Sequence, residues 1–166
     1  ELVAQLSVLI GRRLKLEENR LEKLRRGGLL HDIGKIGIPD QILYKPGVFT
    51  PEERARMNQH PEKGHFIVLN CHLLWDLIPM IRNHHENFDG TGNPDHLVGE
   101  SIPLGARIIA AVDTAEDIRY QLRGVPRGEL LGQLTTELES LSSTRLDPQV
   151  VKAYLEMLQE EELIYE

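Results

Sequence analysis

His31 and Asp32 stand side by side, directly after a leucine-rich run. A second carboxylate, Asp113, follows the five apolar residues 108–112, in a stretch whose composition predicts a nearly buried helix. Burying an imidazole or a carboxylate is costly unless the group is paired or coordinates a metal. These residue types therefore predict either ion-paired side chains or the ligands of a metal ion.

Two consecutive histidines, His84 and His85, end an apolar segment that precedes a glycine-rich stretch. Successive helical residues do not face each other, so the two imidazoles converge only on something beyond the helix end. His60 lies before Pro61, which disfavours helical geometry at the preceding residue. Imidazoles and carboxylates without thiolates favour a borderline or hard divalent ion, so iron or manganese is expected before zinc.

Each of these patterns alone has a simpler interpretation. The pair His84 and His85 also fits a surface position at a helix C-terminus, where positive charge is favourable. His31 and Asp32 also fit an ordinary hydrogen-bonded pair. The other histidines are expected at the surface or satisfied in the core, and the single cysteine as a small buried hydrophobic residue: His65, His72, His96 and Cys71.

Composition restricts the classes of function. The net charge is −7 and the basic residues are scattered among acidic ones, which disfavours binding of extended nucleic acid. One cysteine forbids an internal disulfide and favours a reducing compartment, so a cytoplasmic location is expected. No apolar run approaches the roughly 20 residues that span a bilayer, so this segment is expected to have no membrane span.

Hydrophobic periodicity predicts an all-α domain of about seven helices. Gly27 and Gly28 weaken the second helix by about 1 kcal/mol each relative to alanine, which predicts a close packing neighbour. Thr50 is the expected N-cap of a helix, with Glu53 completing a capping box. The helices are predicted at 1–16, 18–32, 51–59, 62–70, 73–85 with a bend at Pro79, 104–118, 128–141, and from Asp147 onward.

Four motifs follow one another along the chain: "LLHDIGKIGIPDQILYKPG", "QHPEKG", "HHENFDGTGNP" and "IPLGARIIAAVD". In this order they resemble the HD-GYP family, a branch of the HD phosphohydrolase superfamily. The resemblance runs from about residue 20 to 117 and returns loosely at "TRLDPQVVKAYLE". It implies an all-α fold, two or three divalent metal ions, and hydrolysis of the bacterial second messenger cyclic di-GMP in signal transduction.

The resemblance also implies roles for particular residues. Asp32 would bridge two ions and take part in catalysis, and Lys35 would donate to a phosphate oxygen; a solvated loop lysine is the alternative for Lys35. The implied metal ligands are His31, Asp32, His60, His84, His85 and Asp113. The implied signature loop contains Asp89, Gly90, Gly92, Asn93 and Pro94.

The chain departs from the family pattern in three places. Asn93 stands where the family usually has a tyrosine, in a loop linked to contacts with diguanylate cyclase domains. Arg123 and Arg127 fill the roles of the family's phosphate-gripping cations only if one residue is inserted. The family's histidine on the first helix has no counterpart in residues 1–16, so it lies upstream or the first ion lacks a ligand.

The sequence therefore predicts one HD-GYP-like domain over residues 1–166, from the C-terminal part of a longer protein and without the start of its first helix. The leading hypothesis is a metal-dependent cyclic di-GMP phosphodiesterase. The alternatives are a catalytically weak sensor or scaffold that binds nucleotide or a partner domain, and a hydrolase of another nucleotide. Expected partners are the cyclic dinucleotide, diguanylate cyclase domains and a second copy in a homodimer.

Overall fold

Helices account for the regular structure of the described chain. The structure is a computed structural model that describes residues 1–160, except the side chain of Arg127. It has no β-strand in that range, which confirms the all-α prediction. The helices are α1 (Leu2–Arg13), α2 (Glu18–Leu30), α3 (Asp40–Leu43), α4 (Pro51–Met57), α5 (His60–Leu69), α6 (Ile78–Asn83), α7 (Leu104–Gln121), α8 (Arg127–Leu141) and α9 (Pro148–Glu160), with 3₁₀ helices at Ile33–Gly37, His72–Leu77 and Gly99–Ser101.

Residues 1–160 contain nine α-helices, one more than the eight predicted ranges, the additional one being α3, and three prolines act differently from the prediction. Pro39 precedes α3 inside the stretch 33–49, where no helix was predicted. Pro79 lies in the first turn of α6 and starts that helix rather than bending a longer one. A proline fits the first turn because the N–H that it lacks has no helical partner there. Pro61 has the same place in α5, so His60 begins a helix.

Helix α7 lies at the centre of the core and packs against α1, α6, α8 and α9. Its residues Ile108, Ile109 and Val112 are fully buried, as expected for a helix that is apolar on most of its circumference. The α1–α2 pair closes tightly on this core at Gly28, where an added Cβ would lie 2.8 Å from the Ala4 Cα atom. The predicted close neighbour of the glycine pair is therefore confirmed.

A buried ion pair joins α7 to the start of α9. Arg107 donates through Nη1 to Asp147 Oδ2 and through Nε to the Ile102 carbonyl, 2.9 Å away. The other oxygen of Asp147 accepts from the Gln149 backbone N–H at 2.7 Å, as the side chain of an N-cap residue does. These bonds hold the start of α9 against α7. No helix among residues 1–160 is both long and apolar enough to cross a bilayer.

The capping box at the start of α4 offers a test of local stability. Thr50 Oγ1 accepts from the Glu53 backbone N–H at 3.3 Å, and the Glu53 carboxylate accepts from the Thr50 N–H at 2.7 Å. Thr50→Ala removes the cap and should lower the free energy of unfolding by about 1 kcal/mol. Chemical denaturation measures this change. The control Thr136→Ala, on the exposed side of α8, should change it by less than about 0.5 kcal/mol.

Candidate metal centre

Six side chains from four segments converge beneath a cleft. The His31 Nε2 atom lies 3.6 Å from Asp113 Oδ1, which joins the end of α2 to α7. The His60 Nε2 atom lies 3.2 Å from Asp32 Oδ1, which joins α5 to the segment after α2. The rings of His84 and His85 have centroids 4.2 Å apart at the end of α6. All six predicted ligands are therefore brought together: His31, Asp32, His60, His84, His85 and Asp113.

Three of the histidines are oriented by the same device. In each, Nδ1 donates to the backbone carbonyl three residues earlier, at 2.8 Å for His31, 2.9 Å for His60 and 2.9 Å for His84. A carbonyl oxygen only accepts, so the hydrogen is on Nδ1. The Nε2 atoms are thereby turned toward the centre of the cluster. This second hydrogen bond of the ring is how proteins fix the tautomer of a metal-binding histidine.

Two of these Nε2 atoms face each other. His60 Nε2 and His84 Nε2 are 3.1 Å apart, and both side chains are almost fully buried. If both rings carry their hydrogen on Nδ1 alone, two lone pairs point at the same space, and a bound cation would relieve this repulsion. The ligand atoms of His60, His84 and His85 all lie within 4.8 Å of one another. This donor set fits a divalent metal ion.

Asp32 divides its two oxygens between two groups of side chains. Oδ1 lies 3.2 Å from His60 Nε2 and 4.0 Å from His84 Nε2. Oδ2 lies 3.4 Å from His31 Nε2 and accepts from Lys35 Nζ at 2.6 Å. Atoms that share an ion at about 2.0–2.2 Å lie about 3–4 Å apart, so both groups have suitable spacing. The carboxylate is thus placed between two potential ion positions.

The electrostatics of the cluster favour bound positive charge. Burial alone lowers the pKa of His31, but the carboxylates of Asp113 and Asp32 outweigh it and raise that pKa to about 10. Burial and the neighbouring His85 hold the pKa of His84 well below its usual value. Burial and the nearby His60 lower the pKa of His85 to about 4. His84 and His85 are therefore neutral at pH 7, which is the state that binds a metal.

The signature loop is fastened beside the cluster by main-chain bonds. The Asn93 N–H donates to the His85 carbonyl at 3.1 Å. Gly92 leaves no room for a side chain, since an added Cβ would lie 2.0 Å from the Asn87 nitrogen. Both Gly92 and Asn93 line the cleft. The Asn93 Oδ1 atom is buried without a hydrogen-bond partner among the described residues.

The rest of the predicted loop faces away from the cluster. Asp89 is exposed and accepts from the backbone N–H and the hydroxyl of Thr91. Gly90 has a φ of +85°, which suits glycine, and Pro94 follows a cis peptide bond. Asp89, Gly90 and Pro94 are absent from the cleft wall.

Glu86 is a buried residue beside the cluster that sequence reasoning missed. Its carboxylate is 3% exposed and accepts from the backbone N–H groups of Asp95 at 2.6 Å and Leu97 at 3.2 Å. It thereby holds the segment that follows the signature loop next to His85. Its position directly after the two histidines was the available signal.

The cleft above the cluster has a volume of about 660 Å³. Three cationic side chains line it, Lys35, Arg54 and Arg145, of which the sequence pointed only to Lys35. Arg123 instead lines a neighbouring cavity of about 430 Å³, where its guanidinium lies 3.7 Å from the Tyr120 ring centroid. The side chain of Arg127 lies outside the described part of the chain.

The residues expected to have no metal role lie away from the cleft wall. His72 and His96 are exposed, and His65 is partly buried. Cys71 is partly buried rather than fully buried. The single cysteine therefore lies closer to the surface than predicted.

The fold and the cluster together define a helical domain with a histidine- and carboxylate-rich candidate metal centre. A family model described as "HD domain" matches residues 1–150, so the chain belongs to the HD domain family. The resemblance to HD-GYP proteins is also confirmed by the relatives below.

A cyclic di-GMP phosphodiesterase of Thermotoga maritima is 37% identical over 96% of this chain and 44% of its own length. The structure of a cyclic GMP-AMP-specific phosphodiesterase from Vibrio cholerae aligns with a TM-score of 0.74 at 18% identity, over 97% of this chain and 44% of that one. An HDG"Y"P protein from Bdellovibrio bacteriovorus aligns with a TM-score of 0.73 at 23% identity, over 95% and 50%. The chain thus spans about half the length of these proteins or less.

Proposed function

We propose that this domain hydrolyses a phosphodiester bond of cyclic di-GMP in bacterial signalling, in the cytoplasm and as part of a longer protein. The observation that carries the proposal is the facing pair of Nε2 atoms of His60 and His84, 3.1 Å apart beside the shared carboxylate of Asp32. That arrangement calls for a cation at the base of a cleft large enough for a nucleotide. The name of the Thermotoga relative supplies the substrate.

We propose two ions, with iron or manganese favoured by the nitrogen and oxygen ligands. His31, Asp32 and Asp113 would hold one, and Asp32, His60, His84 and His85 the other. Divalent ions in this position supply charge that offsets the phosphodiester and an activated water for attack on phosphorus.

The chain's own residues orient the substrate and the ligands. Lys35 Nζ lies 2.6 Å from Asp32 Oδ2, so its ammonium group is beside the reacting position and can donate to a non-bridging phosphate oxygen. The carbonyl bonds to Nδ1 keep the imidazoles from turning when the substrate enters. The backbone at Gly92 allows the substrate to approach the centre closely. These groups are preorganised, which lowers the cost of reaching the transition state.

Hydrolysis is tested on purified protein loaded with manganese or iron and incubated with cyclic di-GMP. Chromatography should show linear dinucleotide or GMP, and a chelator should stop the reaction. Intact cyclic di-GMP after incubation of the metal-loaded protein would contradict the proposal.

A sensor or scaffold is the second candidate. It is favoured by the position of Arg123, a predicted phosphate-binding residue, in a cavity separate from the metal cleft. Asn93 replaces the tyrosine of a loop that the family resemblance links to contacts with diguanylate cyclase domains. We propose such domains only as partners of the longer protein. Saturable binding of cyclic di-GMP without turnover would identify this function.

A further inference from the structure

We propose that Arg145 and Arg54 bind the phosphodiester group of a cyclic dinucleotide that is not at the metal centre. The inference rests on the proposed function and assigns substrate contacts to two residues outside the four motifs. A cyclic dinucleotide carries two phosphodiesters in one ring. When one is placed at the ions and Lys35, the other remains in the cleft as a separate negative charge.

The two arginines reach the cleft from different segments. Arg54 belongs to α4, and Arg145 lies in the turn between α8 and α9. Both side chains are exposed, and neither guanidinium forms an ion pair with a described carboxylate. Lys35, by contrast, is already bonded to Asp32. Arg54 and Arg145 are therefore the cleft cations that remain available to an anion.

The position of Arg145 is fixed by its backbone. Its carbonyl accepts from the Phe88 N–H at 3.1 Å, and the adjacent Thr144 carbonyl accepts from the Asp89 N–H at 2.8 Å. Ser143 has a φ of +66°, which tightens this turn against the signature loop. An arginine at the end of so fixed a turn loses little backbone entropy when it binds.

Arg54 is preorganised by an aromatic ring. Its guanidinium lies over the Phe49 ring, 4.9 Å from the centroid. Stacking of this kind holds the guanidinium plane and leaves its N–H edge free. Guanidinium groups bind phosphate through two parallel hydrogen bonds, which makes arginine better suited than lysine to this contact.

The surrounding carboxylates explain why such cations are needed. Asp113, Asp117 and Glu86 also line the cleft, so a second phosphodiester without a cation would be repelled. A substrate with one phosphodiester needs only the metal centre. The two arginines should therefore matter for cyclic dinucleotides and not for simple phosphodiesters.

The test compares two substrates on the manganese-loaded protein, cyclic di-GMP and bis(4-nitrophenyl) phosphate. Arg145→Ala and Arg54→Ala should each raise KM for cyclic di-GMP about 10- to 100-fold, as expected for loss of a charge-assisted hydrogen bond. The kcat for cyclic di-GMP and hydrolysis of the simple diester should stay within about twofold of the unmodified protein. Arg145→Lys should retain part of the affinity because it keeps the charge.

Arg56→Ala is the matched control, since Arg56 is exposed two residues along α4 and does not line the cleft. It should leave both substrates unaffected. Equal losses on both substrates in the Arg145 and Arg54 variants would overturn the inference, and so would unchanged KM values.

If the unmodified protein does not turn over cyclic di-GMP, the proposed function is contradicted, but the inference about the two arginines can still be tested by binding. Calorimetric titration with cyclic di-GMP then replaces kinetics. A tenfold or greater loss of affinity in Arg145→Ala supports the inference, and an unchanged Kd overturns it. Absence of binding to the unmodified protein overturns both proposals.

Discussion

His85→Ala should lower turnover of cyclic di-GMP at least about 100-fold and reduce the amount of bound metal. Loss of groups that merely orient metal ligands costs about 10- to 100-fold, so loss of a ligand should cost at least as much. His85 is a sharper choice than His84, which is 1% exposed and whose removal also leaves a cavity. The variant should therefore fold normally while losing activity.

The measurement combines turnover with elemental analysis of the purified variant, and thermal unfolding checks the fold. His72→Ala is the control, because His72 is an exposed histidine that contacts Trp75 and lies outside the cleft. It should keep both metal and activity. If the His85 variant still hydrolysed cyclic di-GMP at the unmodified rate, the metal centre would be assigned to the wrong residues.

Among the glycines of residues 27–37, Gly34 should show the largest effect on folding when it is replaced by alanine. An added Cβ at Gly34 would lie 1.9 Å from the His60 carbonyl oxygen and 2.4 Å from the Gly64 nitrogen. Both are backbone atoms of α5, so no side-chain rotation relieves the clash. We expect a loss of at least about 3 kcal/mol in the free energy of unfolding, at the top of the range for overpacking.

The same substitution should also impair the metal centre. Gly34 lies two residues after Asp32 and packs against the backbone of His60. Moving these two backbones apart would therefore change the distance between the Asp32 and His60 side chains. Denaturation and metal content measure the two effects. Gly132→Ala is the control, because Gly132 lies in α8 with nothing within 4 Å of the added Cβ. It should stabilise the protein by up to about 1 kcal/mol. An unchanged free energy of unfolding in Gly34→Ala would contradict the close packing of Gly34 against the backbone of α5.

The candidate metal ligands could be predicted from sequence because few residue types can coordinate a metal ion and these are costly to bury without a partner. Imidazoles and carboxylates beside apolar runs need partners, and the order of motifs restricted the partners further. The capping box at Thr50 and the glycine contact at Gly28 were predictable for a similar reason, since each depends on a few neighbouring residues.

Other parts depend on contacts that no local pattern encodes. Pro79 is compatible with either bending a helix or starting one, and only the packing of α6 decides between them. Arg145 reaches the cleft through hydrogen bonds between residues more than fifty positions apart in sequence, from Phe88 to Arg145. Arg54 lies on a helix whose sequence predicts only its start and its exposed side. Periodicity reports burial, whereas the shape of a cleft depends on the meeting of distant segments.

The turn that bonds Arg145 to the signature loop should tolerate insertions and deletions less well than the beginning of α8. Residues 142–147 are tied to the loop and to Arg107 by main-chain and side-chain bonds, so an insertion or deletion there would shift the edge of the cleft. The first turns of α8 carry Gly128 and Gly132, which have open space around them. Among homologues, changes of chain length should therefore accumulate at the beginning of α8 and be rare after its end.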